Sequence, residues 1–219
     1  MPTLNSPLTP RERTAWGLVA AAALVQVALG WSPVTDRYTW ALENVPVWIG
    51  IALFALTWRR FPLSLLVMSL LLVHAAILAV GGHWSYAEVP LGHWARDAFA
   101  LSRNPYDRLG HVAQGFVPAL LARELLLRKA RLPRGAWLPF LSGALAVAFS
   151  ACYELTEWAV ALLSEQAAES FLGTQGDNWD TQWDMFLALL GAAASLALLS
   201  RVHDRSMAAL PGNGPHGSE

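Results

Sequence analysis

The chain alternates between long apolar stretches and short polar segments, and six of the apolar stretches approach the length of a membrane span. A transmembrane helix needs about 20 mostly apolar residues. The stretch at 44–58 is the weakest, at about the lower length limit. The pattern predicts an all-α, polytopic transmembrane helical bundle with six spans, at 14–31, 44–58, 62–80, 106–127, 137–163 and 180–200.

The basic residues give the six spans an orientation. With a cytoplasmic N-terminus, 11 of the 15 lysines and arginines fall on the cytoplasmic side, in agreement with the positive-inside rule. Both termini are then predicted to be cytoplasmic. The chain divides accordingly into a cytoplasmic N-terminal segment (1–13), a six-helix transmembrane domain (14–201) and a Gly/Pro-rich, disordered cytoplasmic tail (202–219).

Composition agrees with a membrane protein. Hydrophobic residues make up 55% of the chain and charged residues 14%, against roughly 25% charged in a soluble domain. Because the basic residues follow the topology rather than one face, no nucleic-acid partner is expected.

The basic segment 123–134 is typical of a cytoplasmic loop that contacts anionic lipid head groups. Glu124 within it is expected to pair with Arg128 at i,i+4. The outer connection 81–105 predicts a short interfacial helix around 91–102.

The acidic residues concentrate on the opposite side, where 12 of the 16 lie on the outer segments or the outer helix ends. Three predicted spans carry ionisable side chains three or four residues apart, so that each pair shares one helix face. The topology brings all three pairs to the same depth, at the outer ends of helices 4, 5 and 6. The pairs are Asp107 with His111, Glu154 with Glu157, and Asp180 with Asp184.

Carboxylates gathered around an imidazole form a ligand set for a hard cation or for zinc. The six paired residues are therefore the candidate ligands of one divalent metal ion, and His111 and Glu157 are the candidate catalytic groups. A second imidazole would have to come from His74, His83 or His93. The candidates for hydrogen-bonding to the ligands and holding them in place are His74, Tyr106, Tyr153 and Gln182.

Three classes of function remain open for this cluster. It could bind a metal and act on, or bind, a cell-envelope lipid or its head group. It could carry protons or ions for a coupled transporter. It could also be structural, tying helices together in a membrane protein that serves assembly. The expected partners are the lipid bilayer and an envelope lipid ligand.

Three motifs, "NPYDRLGHVAQGF", "YELTEW" and "GTQGDNWDTQWDM", resemble those of the YjdF-like family of bacterial inner-membrane proteins, a domain of unknown function. The resemblance covers about residues 40–200 and implies a multi-pass protein of the bacterial cytoplasmic (inner) membrane. It implies no particular activity.

A weaker resemblance is to VanZ-like membrane proteins, which look like D-K-x-x-H at one helix start, followed by an acidic helix and an Asp-rich helix entrance. Arg108 stands where that pattern has Lys, and Glu157 where it has Gln. This resemblance implies a role in the cell envelope. The matching positions here are Asp107, His111, Glu154, Asp180 and Asp184.

Overall fold

The computed structural model describes residues 7–163 and 174–210, and these form helices joined by short connections, with no strand among them. A single-turn 3-10 helix (Tyr86–Glu88) follows the third α-helix. The seven α-helices are α1 (Pro10–Gly30), α2 (Arg37–Thr57), α3 (Leu65–Trp84), α4 (Pro90–Ala98), α5 (Tyr106–Arg128), α6 (Trp137–Leu163) and α7 (Asp180–Ala208).

Five of these helices, namely α1, α2, α3, α6 and α7, are long and apolar enough to cross a membrane. The prediction of an all-α, multi-span protein is therefore confirmed. Helix α5, with 23 residues, is long enough to cross as well, but it is less apolar because it includes five charged residues together with His111 and Gln114. The short helix in the 81–105 connection is present as α4, with ends at Pro90 and Ala98.

Helix α2 begins seven residues before the predicted 44–58 span and is 21 residues long. Asp36 caps it by accepting hydrogen bonds from the backbone N–H groups of Tyr38 and Thr39. Pro46 lies inside the helix. The added first turns contain two buried polar side chains, Thr39 and Glu43. Prediction from hydropathy leaves such residues out of a span, because it does not register their burial.

Both outer limits of the transmembrane domain differ from the predicted ones. Helix α1 already begins at Pro10, where Thr9 and Glu12 form a reciprocal capping box, so it includes part of the segment assigned to 1–13. Helix α7 continues through 202–208, which the Gly/Pro content had assigned to the disordered tail. His203 and Met207 are buried there, and this packing extends the helix. Residues 1–6 and 211–219 lie outside the described part.

Helix α5 lies at the centre of the bundle and packs against α3, α6 and α7. Its approach to α7 is close because both helices have glycine at the contact. A Cβ at Gly115 would overlap the backbone carbonyl of Ala188, and a Cβ at Gly191 would overlap that of Val112. Small residues allow such close helix packing in membranes, where lipid supplies no hydrophobic drive for association. Helices α1, α2 and α3 form the other half of the bundle, which meets α5 through α3.

Substituting Gly115 tests this central contact. Gly115→Ala is expected to lower the melting temperature of the detergent-purified protein, because the added methyl group has to push α5 away from the α7 backbone. Overpacking of this kind costs about 1–3 kcal/mol. Gly143→Ala on α6 is the matched control, since a Cβ there has no neighbour within 4 Å. Equal melting temperatures for the two variants would contradict the close α5–α7 packing.

Candidate functional site

The predicted ionisable cluster is present at one end of the bundle, called here the acidic end. Helices α5 and α7 both begin there: Asp107 and His111, near the start of α5, lie beside Asp180 and Asp184, at the start of α7. The two helices therefore run parallel. Helix α6 reaches the same end with its C-terminal half, which carries Glu154. Three helices that are distant in sequence therefore contribute to one buried site.

His111 is the centre of the cluster, and its ring is buried. Nε2 lies 3.4 Å from Oδ1 of Asp107 and 3.7 Å from Oδ1 of Asp184. Nδ1 lies 3.7 Å from Oε1 of Glu154. Asp107, His111 and Asp184 each offer one ligand atom, and these three atoms lie within 4.8 Å of one another.

Gln114 orients the imidazole, although the sequence pattern did not single it out. Its Oε1 lies 3.0 Å from His111 Nδ1, one helical turn away. Because an amide oxygen can only accept, this contact requires a proton on Nδ1, and it leaves Nε2 facing the two aspartates. Metal-binding histidines are commonly held in this way, with the second ring N–H donated to an oxygen. Its i,i+3 spacing from His111 could have indicated that the two side chains share one helix face.

Two carboxylate oxygens in the cluster are buried without a hydrogen-bond partner among the described residues: Asp184 Oδ1 and Glu154 Oε1. The two side chains are only 4% and 6% exposed. Burying an unsatisfied polar atom costs about 1–3 kcal/mol, and more when it is charged. Around His111 there are thus three carboxyl groups, one imidazole and at least two acceptors available for a further positive charge.

Asp180 occupies a different position from the one predicted. It pairs with Arg103, whose guanidinium also donates to Asp107 Oδ2 at 3.1 Å. Burial alone would lower the pKa of Arg103, but the hydrogen bond to Asp180 and the neighbouring carboxylates raise it, so the group stays charged. Arg103 was not predicted, although it stands four residues before Asp107. It compensates negative charge on Asp180 and on Asp107 at the rim of the cluster.

The four remaining candidates contribute no ligand atom to the group formed by Asp107, His111 and Asp184. Glu157 is half-buried, one turn beyond Glu154, and is not one of the residues whose ligand atoms meet at His111. Tyr153 donates to Glu43 Oε2 at 3.1 Å, whereas the Tyr106 hydroxyl donates to the Ile77 carbonyl in α3. Gln182 is exposed, and since it lies two residues from each aspartate of α7 it faces away from them.

None of the three other histidines considered belongs to the group of ligand atoms at Asp107, His111 and Asp184. The ring of His74 is buried, and its Nε2 has no hydrogen-bond partner among the described residues. The Nδ1 atom of His83 contacts the Leu29 carbonyl at 2.7 Å, and Nε2 of His93 contacts Glu88 at 3.1 Å. That one of these histidines supplies a second imidazole stays a prediction.

Glu43 of α2 is a buried acid that the sequence pattern missed. Its side chain is 3% exposed and accepts the hydrogen bond from Tyr153. The predicted second span began only at residue 44, which left Glu43 in a loop. Its place inside α2 brings a further acidic group to the site, from the other half of the bundle.

The loop before α7 closes over the cluster and accounts for the "GTQGD" motif. The Gln175 side chain accepts from the backbone N–H of Asn104 at 3.0 Å and donates to the Asn104 carbonyl at 3.2 Å. Gln175 and Gly176 both have positive φ, at 47° and 83°, a conformation that glycine adopts without strain. Asp177 lies 3.4 Å from Arg108. The loop is thereby fixed to the segment that leads into α5.

The opposite end of the bundle, called the basic end, holds a second buried network. Glu124 is completely buried and accepts hydrogen bonds from the Ser64 backbone and hydroxyl, at 2.9 and 2.5 Å, and from His203 at 3.0 Å. The expected pair with Arg128 is present at 2.5 Å. Arg123 donates to His203 Nδ1 at 3.2 Å. This network ties α3, α5 and α7 together, and in contrast to the acidic end its acid has donors on both oxygens.

A bundle of apolar helices with charge clusters buried at each end is typical of polytopic integral membrane proteins. The chain belongs to the family described as "Predicted membrane protein (DUF2238)", which matches residues 14–205. It is 50% identical over 172 residues to a protein called "Inner membrane protein YjdF" from Escherichia coli (strain K12), covering 78% of this chain and 82% of that relative. No solved structure matched the chain.

These similarities confirm the predicted YjdF-like family and the predicted location. The chain is a multi-pass protein of the bacterial inner membrane. The resemblance to VanZ-like proteins stays a prediction.

Proposed function

We propose that the acidic end of this inner-membrane protein holds one divalent cation and uses it to bind the head group of a cell-envelope lipid. The observation that carries the proposal is the meeting of Asp107, His111 and Asp184, whose ligand atoms lie within 4.8 Å of one another in a buried position. A cation there would supply the positive charge that the surrounding carboxylates need.

The spacing of these atoms suits a metal. Two ligands bound to zinc at about 2.0–2.1 Å in tetrahedral geometry lie about 3.3–3.4 Å apart. His111 Nε2 is 3.4 Å from one aspartate oxygen and 3.7 Å from the other. One imidazole with two carboxylates therefore needs only small shifts to coordinate zinc, or manganese in a more oxygen-rich sphere. Glu154 beside them, with its unpartnered oxygen, is the candidate fourth ligand.

The position of the cluster supports a lipid as the ligand. Three tryptophans with exposed side chains, Trp158, Trp179 and Trp183, surround the acidic end, and tryptophan is enriched where a helix meets the head-group region. Arg108 stacks on Trp183, with 5.8 Å between the guanidinium carbon and the ring centroid. A bound cation has coordination positions left for an anionic oxygen of a head group.

His111 acts in this proposal as a ligand, because Gln114 contacts its Nδ1 and its Nε2 faces the two aspartates. Glu157 is then the remaining candidate base, should the bound lipid also react. Proton or ion transport and a purely structural cluster are the competing functions. The structural alternative accounts well for Arg103 and Glu124, which have hydrogen-bond partners. It leaves Oε1 of Glu154 and Oδ1 of Asp184 without a hydrogen bond, each 3.7 Å from a ring nitrogen of His111.

We also propose that α5 is the sixth span and that both termini are cytoplasmic. At about 1.5 Å per residue, its 23 residues extend about 35 Å, enough to cross a hydrocarbon core of about 30 Å. Helices α3, α6 and α7 pack around it, so its charged residues are shielded from lipid. The six spans alternate in direction and put the acidic end outside, as the distribution of basic residues favours.

Metal analysis tests the proposed cation site. The protein, purified in detergent without chelator, is expected to contain about one equivalent of a divalent transition metal by mass spectrometry. His111→Ala and Asp184→Asn should lose it while still eluting as folded protein, because each removes a ligand. Gln114→Leu should weaken metal affinity by about 10–100-fold, as loss of an outer-shell partner does.

Two variants at the same end serve as controls for the metal analysis. His83→Ala removes an imidazole that contacts the Leu29 carbonyl, and Asp97→Asn removes an exposed acid paired with Arg96. Both should keep the metal. Wild-type protein that stays metal-free after metal is added back would overturn the proposal, as would equal losses in the control variants.

Cysteine labelling tests the sixth span. In a Cys152→Ser background, Asp97→Cys before α5 should react with a membrane-impermeant maleimide in spheroplasts. Lys129→Cys at the end of α5 should react only after the membrane is permeabilised, because the helix carries it to the cytoplasmic side. Labelling of both positions from the same side would show that α5 does not cross.

A further inference from the structure

We propose that the basic end of the bundle carries a separate binding site for the phosphate group of an anionic membrane lipid. A cavity of about 610 Å³ opens there between the segment before α3, the end of α5, the following loop and the end of α7. Its lining includes Phe61, Leu127, Arg128, Leu132, Arg134 and Met207. The site is far from the acidic end, and the proposal does not depend on the cation.

The cavity has the charge that a phosphodiester requires. Among the residues that line it, Arg128 and Arg134 stand against one acid, Asp204, which leaves a surplus of one positive charge. The surplus matches the single negative charge of a phospholipid phosphodiester.

Arg134 is the side chain best placed to bind the phosphate. It is 65% exposed and lies 3.1 Å from Asp204, whose same oxygen already accepts from Arg123 at 2.8 Å. Asp204 therefore keeps a buried partner when Arg134 turns toward a ligand. Arg128 is more tightly held, by Glu124, by the Pro62 carbonyl and by stacking on Phe61 at 4.2 Å. It presents a fixed positive group in the same lining.

The rest of the lining favours a lipid over a soluble anion. Besides its charged residues, the lining includes the apolar side chains of Phe61, Leu127, Leu132 and Met207. The cavity is at the ends of the long apolar helices, at the level where a lipid carries its phosphate, with its acyl chains directed toward the helix surfaces. A volume of about 610 Å³ is within the ordinary range for small-molecule sites, and it accommodates a head group with the first carbons of the chains.

Lipid titration of the full-length protein in a neutral detergent tests the site. The probes are dioctanoyl phosphatidylglycerol, which is anionic, and dioctanoyl phosphatidylcholine, which has the same chains but no net charge. Phosphatidylglycerol should bind at least about fivefold more tightly, since one arginine near a membrane surface contributes about that factor toward an anionic lipid. Arg134→Gln should remove most of this preference and leave phosphatidylcholine binding unchanged.

Matched variants separate a defined site from a diffuse basic surface. Arg201→Gln removes the same charge from an exposed position on α7, outside the cavity lining, and should leave both affinities unchanged. Leu132→Asn should weaken binding of both lipids, whereas Leu125→Asn, at a position 41% exposed and not in the lining, should not.

Three results would overturn the proposal. The two lipids could bind equally, or Arg201→Gln could weaken phosphatidylglycerol binding as much as Arg134→Gln does, which would show a diffuse charge effect. Inorganic phosphate could also displace phosphatidylglycerol at the same concentration as the lipid itself, which would show a site for a soluble anion. Selective loss in Arg134→Gln, without displacement by phosphate, supports the lipid site.

Discussion

Carboxylates buried between apolar helices need positive charge close by, because the interior stabilises an isolated charge far less than water does. The two ends of this bundle meet that need differently. At the basic end, Glu124 has an arginine, a histidine and a serine as partners. At the acidic end, Arg103 compensates the rim, and the carboxylates around His111 retain unpartnered oxygens. The first arrangement is that of a structural tie, and the second is the one that we propose receives a cation.

The close contact between α5 and α7 fixes the geometry of that site. Gly115 lies one turn after His111, and its contact residue Ala188 lies one turn after Asp184. The glycine lets the two backbones approach, and this approach brings the imidazole and the carboxylate within 3.7 Å. Ala119, Ala146 and Ala192 continue the same close packing toward the basic end. Small residues without any chemistry of their own therefore determine whether the charged ones can act together.

The sequence was sufficient to predict the core of the candidate site. Helical spacing and the positive-inside rule together placed Asp107, His111 and Asp184 at one depth on different helices. This was possible because helical spacing depends only on the local sequence, and the orientation of the spans depends only on where the basic residues lie. Arg103 and Glu43 were missed for a common reason. One precedes a helix and the other lies near the start of a helix whose polar first turns lower its hydropathy, so their burial depends on tertiary packing.

The basic end shows the same limit of sequence reasoning. Glu124 and Arg128 could be paired from their i,i+4 spacing, but His203 is 79 residues away from Glu124 and stood in a segment assigned to the tail. Only the packing of α7 beside α5 brings them together and keeps residues 202–208 helical. Hydropathy likewise leaves α5 out of the five helices that are apolar enough to cross a membrane, although α3, α6 and α7 pack around it.

The claim that a cation completes the acidic end is tested most directly by thermal unfolding of chelator-stripped protein. A ligand that binds only the folded state stabilises it, by about 2.7 kcal/mol at a concentration of 100 times its dissociation constant. Adding zinc or manganese should therefore raise the melting temperature of the wild type and leave that of Asp184→Asn unchanged. Equal responses of the two proteins, or no response of the wild type, would contradict the account and leave the cluster as a structural tie between helices.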